Sequence, residues 1–161
     1  MVPEAITTDL SAMAGARTST LHAHWRALGG GPGLPLAEDF HPVDVYALAS
    51  RLLLLDVVRE ADGRLRHRYR YVGTRIVRYR LLRGLGDHTG SFVDEAPRYY
   101  SGDLLEDSYR RCTEEAVPVL TTGAWCGVAA KGRFERLALP LFGGDGAVTR
   151  LVTLVDRFDK D

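Results

Sequence analysis

The sequence predicts an α+β domain, and three observations carry that expectation. The apolar residues keep a helical period up to about residue 51 and an alternating one after it. Two alternating runs then flank Asp62-Gly63, a pair suited to the positive backbone angles of a tight hairpin turn. Three more alternating runs close the chain, separated by "AAKGR" and "GGDGA". With 161 residues the chain suits one core, divided here into a flexible arm at 1–17, N-terminal helices at 18–50 and a core domain at 51–158.

Residues 1–17 hold no sustained period, which is the reason to expect an arm. "TSTLHAHWRALGG" sets Leu21, Trp25 and Leu28 at i, i+4 and i+7, with Thr18 or Ser19 to cap the start and Gly29-Gly30 to stop it. "GGGPGLP" lacks the Gly-Lys-Ser/Thr ending of a phosphate loop and reads as a linker. "HPVDVYALASRL" is a second helix opened by Pro42. "LLLLDVVRE" and "LRHRYRYVG" form the hairpin, and counting back from its turn sets Asp56 opposite Tyr69, Leu54 opposite Tyr71 and Val57 opposite Arg68. "TRIVRYRLLRG" turns helical, and "GLGDHTGSFVDEAP" is irregular. "YYSGDLLEDSYRRCTEEAVP" is the strongest helix, with Leu105, Tyr109, Cys112 and Ala116 on one side, Asp103 near its start and Pro118 at its end. "VLTTGAWCGV", "FERLALPLF" and "AVTRLVTLVDRF" are the closing strands.

The totals exclude several classes. Twenty-one basic residues balance 21 acidic ones, so the surface as a whole is not built for polyanions, although basic residues prevail between Arg51 and Arg83. No apolar run approaches the roughly 20 residues of a membrane-spanning helix. The first twenty residues lack the apolar centre of a secretory signal, so the expected location is the cytoplasm. Cys112 and Cys126 are too few and too separate for a disulfide framework or a metal cluster, and read as small buried residues.

The order of the elements, with His24-Trp25, "HPVDV", "LLDVV" at 54–58, "RYRYVGT" at 68–74, "GDHTG" at 86–90 and "FERLALPLFGGDG" at 134–146, resembles a bacterial family of small single-domain PAS proteins, the fifth PAS profile family. The resemblance spans residues 20–157. It departs at His24, where the pattern has Tyr, at His67, where it has Phe, and in "YRLLRGL", which lengthens one helix. It implies a five-stranded antiparallel sheet with helices across one face, and an N-terminal amphipathic helix beside it. It also implies a small-molecule pocket or partner surface, and a role in bacterial signal transduction without catalysis.

The residues leave the cofactor unassigned. "RRCTEEA" does not match the cysteine run of flavin-binding members, and the long helix offers no histidine to haem, which leaves His67 and His88 as weak alternatives. There is no nucleophile elbow and no His-Glu-x-x-His pair. An enzyme would have to use Asp56 or His67, and a structural carboxylate at Asp56 is the better reading. The ribbon "RLRHRYRY" resembles a single-strand nucleic-acid grip in writing, but a strand's period sends arginines and rings to opposite faces, which disfavours it. One face then carries Leu54, Asp56, Val58, His67, Tyr69 and Tyr71, and the other Leu53, Leu55 and Val57 with Arg66, Arg68 and Arg70.

The resulting expectation is a sensory or interaction module that binds a small ligand or an unidentified signalling protein and forms a homodimer through its sheet face and N-terminal helix. Its pocket would draw on Asp56, His67, Tyr69, Tyr71, Phe92, Tyr109, Trp125 and Leu139. Its dimer or partner face would draw on Leu21, Trp25, Leu28, Leu53, Leu55, Arg66, Arg68 and Arg70, with the N-terminal helix of the same chain or a second copy covering the sheet. Two alternatives stay open: an anionic-ligand or nucleotide binder through Arg66, Arg68 and Arg70, and a small enzyme using Asp56 or His67.

Overall fold

The computed structural model describes residues 4–29, 33–98, 104–126 and 131–159. Their alternating runs form one antiparallel sheet of β1 (Ala5–Thr7), β2 (Leu52–Arg59), β3 (Leu65–Val72), β4 (Val119–Cys126), β5 (Lys131–Phe142) and β6 (Val148–Asp159). The strand order is β1-β4-β5-β6-β2-β3. Helices α1 (Ala16–Leu28), α2 (Tyr46–Ala49), α3 (Thr74–Leu81) and α4 (Leu105–Glu115) complete the fold. None of the helices described is long and apolar enough to cross a membrane. Asp103, expected at the start of the strongest helix, lies outside the described residues.

Six strands stand where five were expected. The extra one comes from the segment expected to be a flexible arm: Ala5, Ile6 and Thr7 pair with Thr122, Thr121 and Leu120 at the edge of β4. Three residues are too few to display a period, so this strand is invisible in composition. At the opposite edge, residues 90–93 run beside β3. Gly90 N donates to Tyr69 O, Tyr69 N to Ser91 O and Val93 N to His67 O.

The sheet has a core on each face. The inner one packs Leu55, Tyr69, Val93, Val119, Ala138 and Leu151 against Leu105, Tyr109 and Cys112 of α4. The outer one packs Leu52, Leu54, Leu137, Leu139, Leu141, Val152 and Leu154 against Leu21, Trp25 and Leu28 of α1, with Phe40 and Leu48 beside them. On β5 the alternation is plain: Leu137, Leu139 and Leu141 go outward to α1, while Arg136 and Ala138 go inward under α4. The cover over the outer face is therefore the chain's own N-terminal helix, one of the two sources left open by the sequence.

The start of α1 is fixed by the sheet. Its N-cap is Gly15, with no side chain to close the first turn. Glu135 of β5 reaches across instead, accepting from Ala14 N at 3.0 Å and Gly15 N at 2.6 Å. Thr18 Oγ1, expected as a cap, donates to the same carboxylate. Asp156 of β6 accepts from Arg17 N and from Arg17 Nη1, both at 3.0 Å. Trp25 Nε1 then donates to Pro140 O at 2.7 Å, anchoring the middle of the helix.

Candidate functional site

Beneath α4, the inner face of the sheet carries a group of buried polar side chains amid apolar ones. Arg136 on β5 stands opposite Thr121 on β4, and Thr153 on β6 stands opposite Ala138, one inward position along from Arg136. Tyr109 of α4 lies over them. Arg136 is 4% exposed, and Thr121, Thr153 and Tyr109 are fully buried. Arg136 Nε and Nη2, Tyr109 Oη, Thr121 Oγ1 and Thr153 Oγ1 have no hydrogen-bond partner among the described residues. Tyr109 Oη does face Thr153, but without meeting hydrogen-bond geometry. Burial pushes the Tyr109 phenol up, against the opposing pull of the Arg136 guanidinium. It also pushes the Cys112 thiol up, so that thiol stays protonated and is no nucleophile.

Two histidines border the same core. His67 Nε2 meets Thr113 Oγ1 at 2.9 Å, and its ring packs on Tyr109. Burial, assisted by the positive charge of Arg59, holds it down at about 4. His88 packs edge-on against Tyr69 with ring centroids 4.1 Å apart. Burial and the nearby Arg80 likewise bring it to about 4. Both rings are neutral at pH 7.

The pocket residues expected from the sequence divide. His67, Tyr69, Tyr109 and Trp125 lie on the inner side with Arg136. Asp56, Tyr71 and Leu139 do not; for Asp56 and Tyr71, set apart from Tyr69 and His67, the cause is a β-bulge between Leu54 and Leu55, and for Leu139 it is the alternation of β5. Leu54 faces Tyr71 as expected, but Leu55 then pairs with Tyr69, Asp56 with Arg68 and Val57 with His67. The residue left over is Arg70, and every side chain before it on β3 changes partner. Tyr71 consequently belongs to the outer core and donates to Ala49 O at 2.8 Å. Leu139 is buried in the same outer core. Phe92 sits at the β3 edge beneath the Arg66 guanidinium, 3.6 Å from the ring centroid.

The expected partner face also resolves into separate parts. Leu21, Trp25 and Leu28 pack on the chain's own outer face, whereas Leu53 and Leu55 belong to the inner core. Arg66 is held by Asp94, Glu95 and Glu60. Arg68 and Arg70 join Arg150 around Asp56 at 3.7, 3.6 and 3.3 Å, beside an open groove of about 500 Å³. Asp56 and His67 therefore occupy opposite faces of the sheet and cannot act as a pair. Because these ion pairs are long and their arginines half-exposed, Asp56→Asn is expected to change unfolding free energy by less than about 1 kcal/mol. Urea titration checks this, and a loss of several kcal/mol would make Asp56 a structural keystone instead.

Arg136, Thr121 and Thr153 were missed by sequence reasoning. In "FERLALPLF" the run Leu137, Leu139, Leu141 marks one buried face, which invites a solvent-facing reading of the alternate positions. The available signal was topological: the last three strands form the middle of the sheet, and the face opposite the leucines is the one α4 covers.

The chain has an α+β fold, one antiparallel sheet with helices packed on it. It is similar in fold to an RNA-binding light-oxygen-voltage receptor, with a TM-score of 0.50 and 14% identity over 99% of this chain. This chain spans only 39% of the length of that one. A second similar structure is the light state of the LOV domain of the blue-light photoreceptor Aureochrome1, with a TM-score of 0.45, 11% identity and coverage of 73% of this chain and 88% of that one. No family model and no curated protein matches the sequence.

Proposed function

We propose that the chain is a non-catalytic sensory module that receives a small molecule between α4 and the inner face of the sheet and passes its occupancy to a partner protein. One observation carries this reading: buried, unpartnered polar atoms of Arg136, Tyr109, Thr121 and Thr153 converge amid apolar core residues. Native interiors satisfy nearly all such atoms, so a group of them points to something that completes it. The motif order supports a place in bacterial cytoplasmic signalling. The separation of Asp56 from His67 weighs against an enzyme built on that pair.

Self-association belongs to the proposal in altered form. Leu21 is buried on the chain's own sheet and Trp25 and Leu28 are half-buried there, so a second copy would meet only the exposed parts of those two. The RNA binding of the similar receptor is not extended to this chain. Arg66, Arg68 and Arg70 face acidic partners here, and Tyr69 is buried away from them.

Mass spectrometry of the intact native protein tests the reading. The expected result is a mass above that of the polypeptide, lost on denaturation, with the stoichiometry giving the oligomer directly. Bare polypeptide from the native host, with no stabilising small molecule found by thermal-shift screening, would overturn it.

A further inference from the structure

We infer that the Arg136 group beneath α4 is a receptor for the carboxylate of a small organic acid. This rests on the sensory reading above and names its ligand class.

The argument begins with charge. A guanidinium cannot shed its proton at any pH the fold survives, so Arg136 is a cation in an apolar interior. Among the described residues no carboxylate pairs with it. An isolated buried charge is strongly unfavourable unless an opposite charge or several hydrogen bonds accompany it. The protein's other buried arginine shows the ordinary solution: Arg80, also 4% exposed, gives Nε to Gly86 O at 2.9 Å and Nη1 to Pro97 O at 2.7 Å. Arg136 has no such carbonyls.

The pattern of unpartnered atoms points to the class of the anion. Nε and Nη2 lie on the same edge of the guanidinium and form a fork matched to two oxygens of one carboxylate. Arg66 shows this mode within the same chain, donating Nε to Asp94 Oδ2 at 2.9 Å and Nη2 to Asp94 Oδ1 at 2.8 Å. On Arg136 that edge is vacant. The hydroxyls of Thr121, Thr153 and Tyr109 supply further donors for the remaining lone pairs. Arg80 and Arg98 are already held by Gly86 O, Pro97 O and Glu106, so the charge to be balanced here is that of Arg136. One charge balances a monoanionic carboxylate, whereas a phosphate dianion would remain half uncompensated.

Thermal unfolding of the full chain with benzoate or hexanoate tests the assignment, with benzamide and inorganic phosphate as controls and Arg136→Met as the variant. Either carboxylate is expected to raise the wild-type Tm by roughly 5–10 °C near a hundred times its Kd, with no rise from the controls. Arg136→Met is expected to lose that rise, yet to match or exceed the ligand-free wild type in Tm, since it removes an unpaired buried charge. Circular dichroism confirms that the variant folds; if it does not, Arg136→Gln replaces it. A rise that persists in the variant, an equal rise with benzamide, or no rise with either acid overturns the carboxylate assignment. A neutral molecule retained by both wild type and variant in native mass spectra would overturn it while leaving the sensory reading intact. The absence of any ligand in both experiments would overturn both.

Discussion

Replacing Gly15 with alanine is expected to destabilise the protein by about 3 kcal/mol and to detach α1 from the sheet. Backbone strain is not the cause, because Gly15 has φ −74°, open to any residue. The cause is contact: a Cβ at this position would meet Asp156 Oδ2, Glu135 Oε1 and Thr18 Oγ1 well inside van der Waals distance. The two carboxylates would have to withdraw from the amides of Ala14, Gly15 and Arg17, for which they are the acceptors. Glu135→Ala should cost a similar amount by leaving those donors unsatisfied, and Glu135→Gln somewhat less, since its amide keeps one acceptor oxygen. Urea unfolding measures the loss. Hydrogen exchange shows its place, since α1 amides should lose protection before those of β5. Uniform loss across the sheet, or a change within about 0.5 kcal/mol, would show that the junction is not what fixes the helix.

The second large effect is a loss of stability on mild acidification. His67 and His88 titrate near 6.5 when unfolded and at about 4 in the fold. Between those values the unfolded chain holds protons that the native chain refuses, so stability is complete above pH 6.5 and declines as pH falls toward 4. For His67 alone the 2.5-unit difference corresponds to about 3 kcal/mol. Asp87 and Asp94, held below the ordinary carboxylate value of 3.8 by hydrogen bonds from Thr89 and Arg66, act only at lower pH. His67→Phe should flatten much of the decline and change stability little at pH 7.5, because Thr113 Oγ1 still donates to Tyr109 O. The midpoint of urea unfolding from pH 4 to 8 checks both points. A flat profile for the wild type would mean that the histidines are protonated within the fold.

The behaviour of particular residues shows what a sequence can reveal. Leu21, Trp25 and Leu28 announced an amphipathic helix, and Asp62-Gly63 a hairpin, because both signals are local. The faces of that hairpin were misassigned because a bulge at Arg70 leaves no mark on alternation: every residue from Leu65 to Tyr69 still alternates, but against a shifted partner. Glu135 and Asp156 gave no hint that they would cap a helix some 120 to 140 positions away in the chain, since capping signals are sought in the adjoining residues. The inner site was only partly legible. Tyr69, Tyr109 and Trp125 are conspicuous by size, but Arg136 acquires its meaning only when the middle strands have been assigned an inside and an outside.

The two sheet edges have a further consequence for how this protein meets others. β1 occupies the free side of β4, and residues 90–93 take up backbone groups of His67 and Tyr69 on the free side of β3. Along these covered stretches, at residues 120–122 and 67–69, strand addition by a guest is discouraged. A partner can instead read side chains, on the helical layers or on the exposed apolar residues Val43, Tyr46, Leu81 and Leu82. In the sensory reading proposed above, occupancy is passed on by the arrangement of the helices over the sheet.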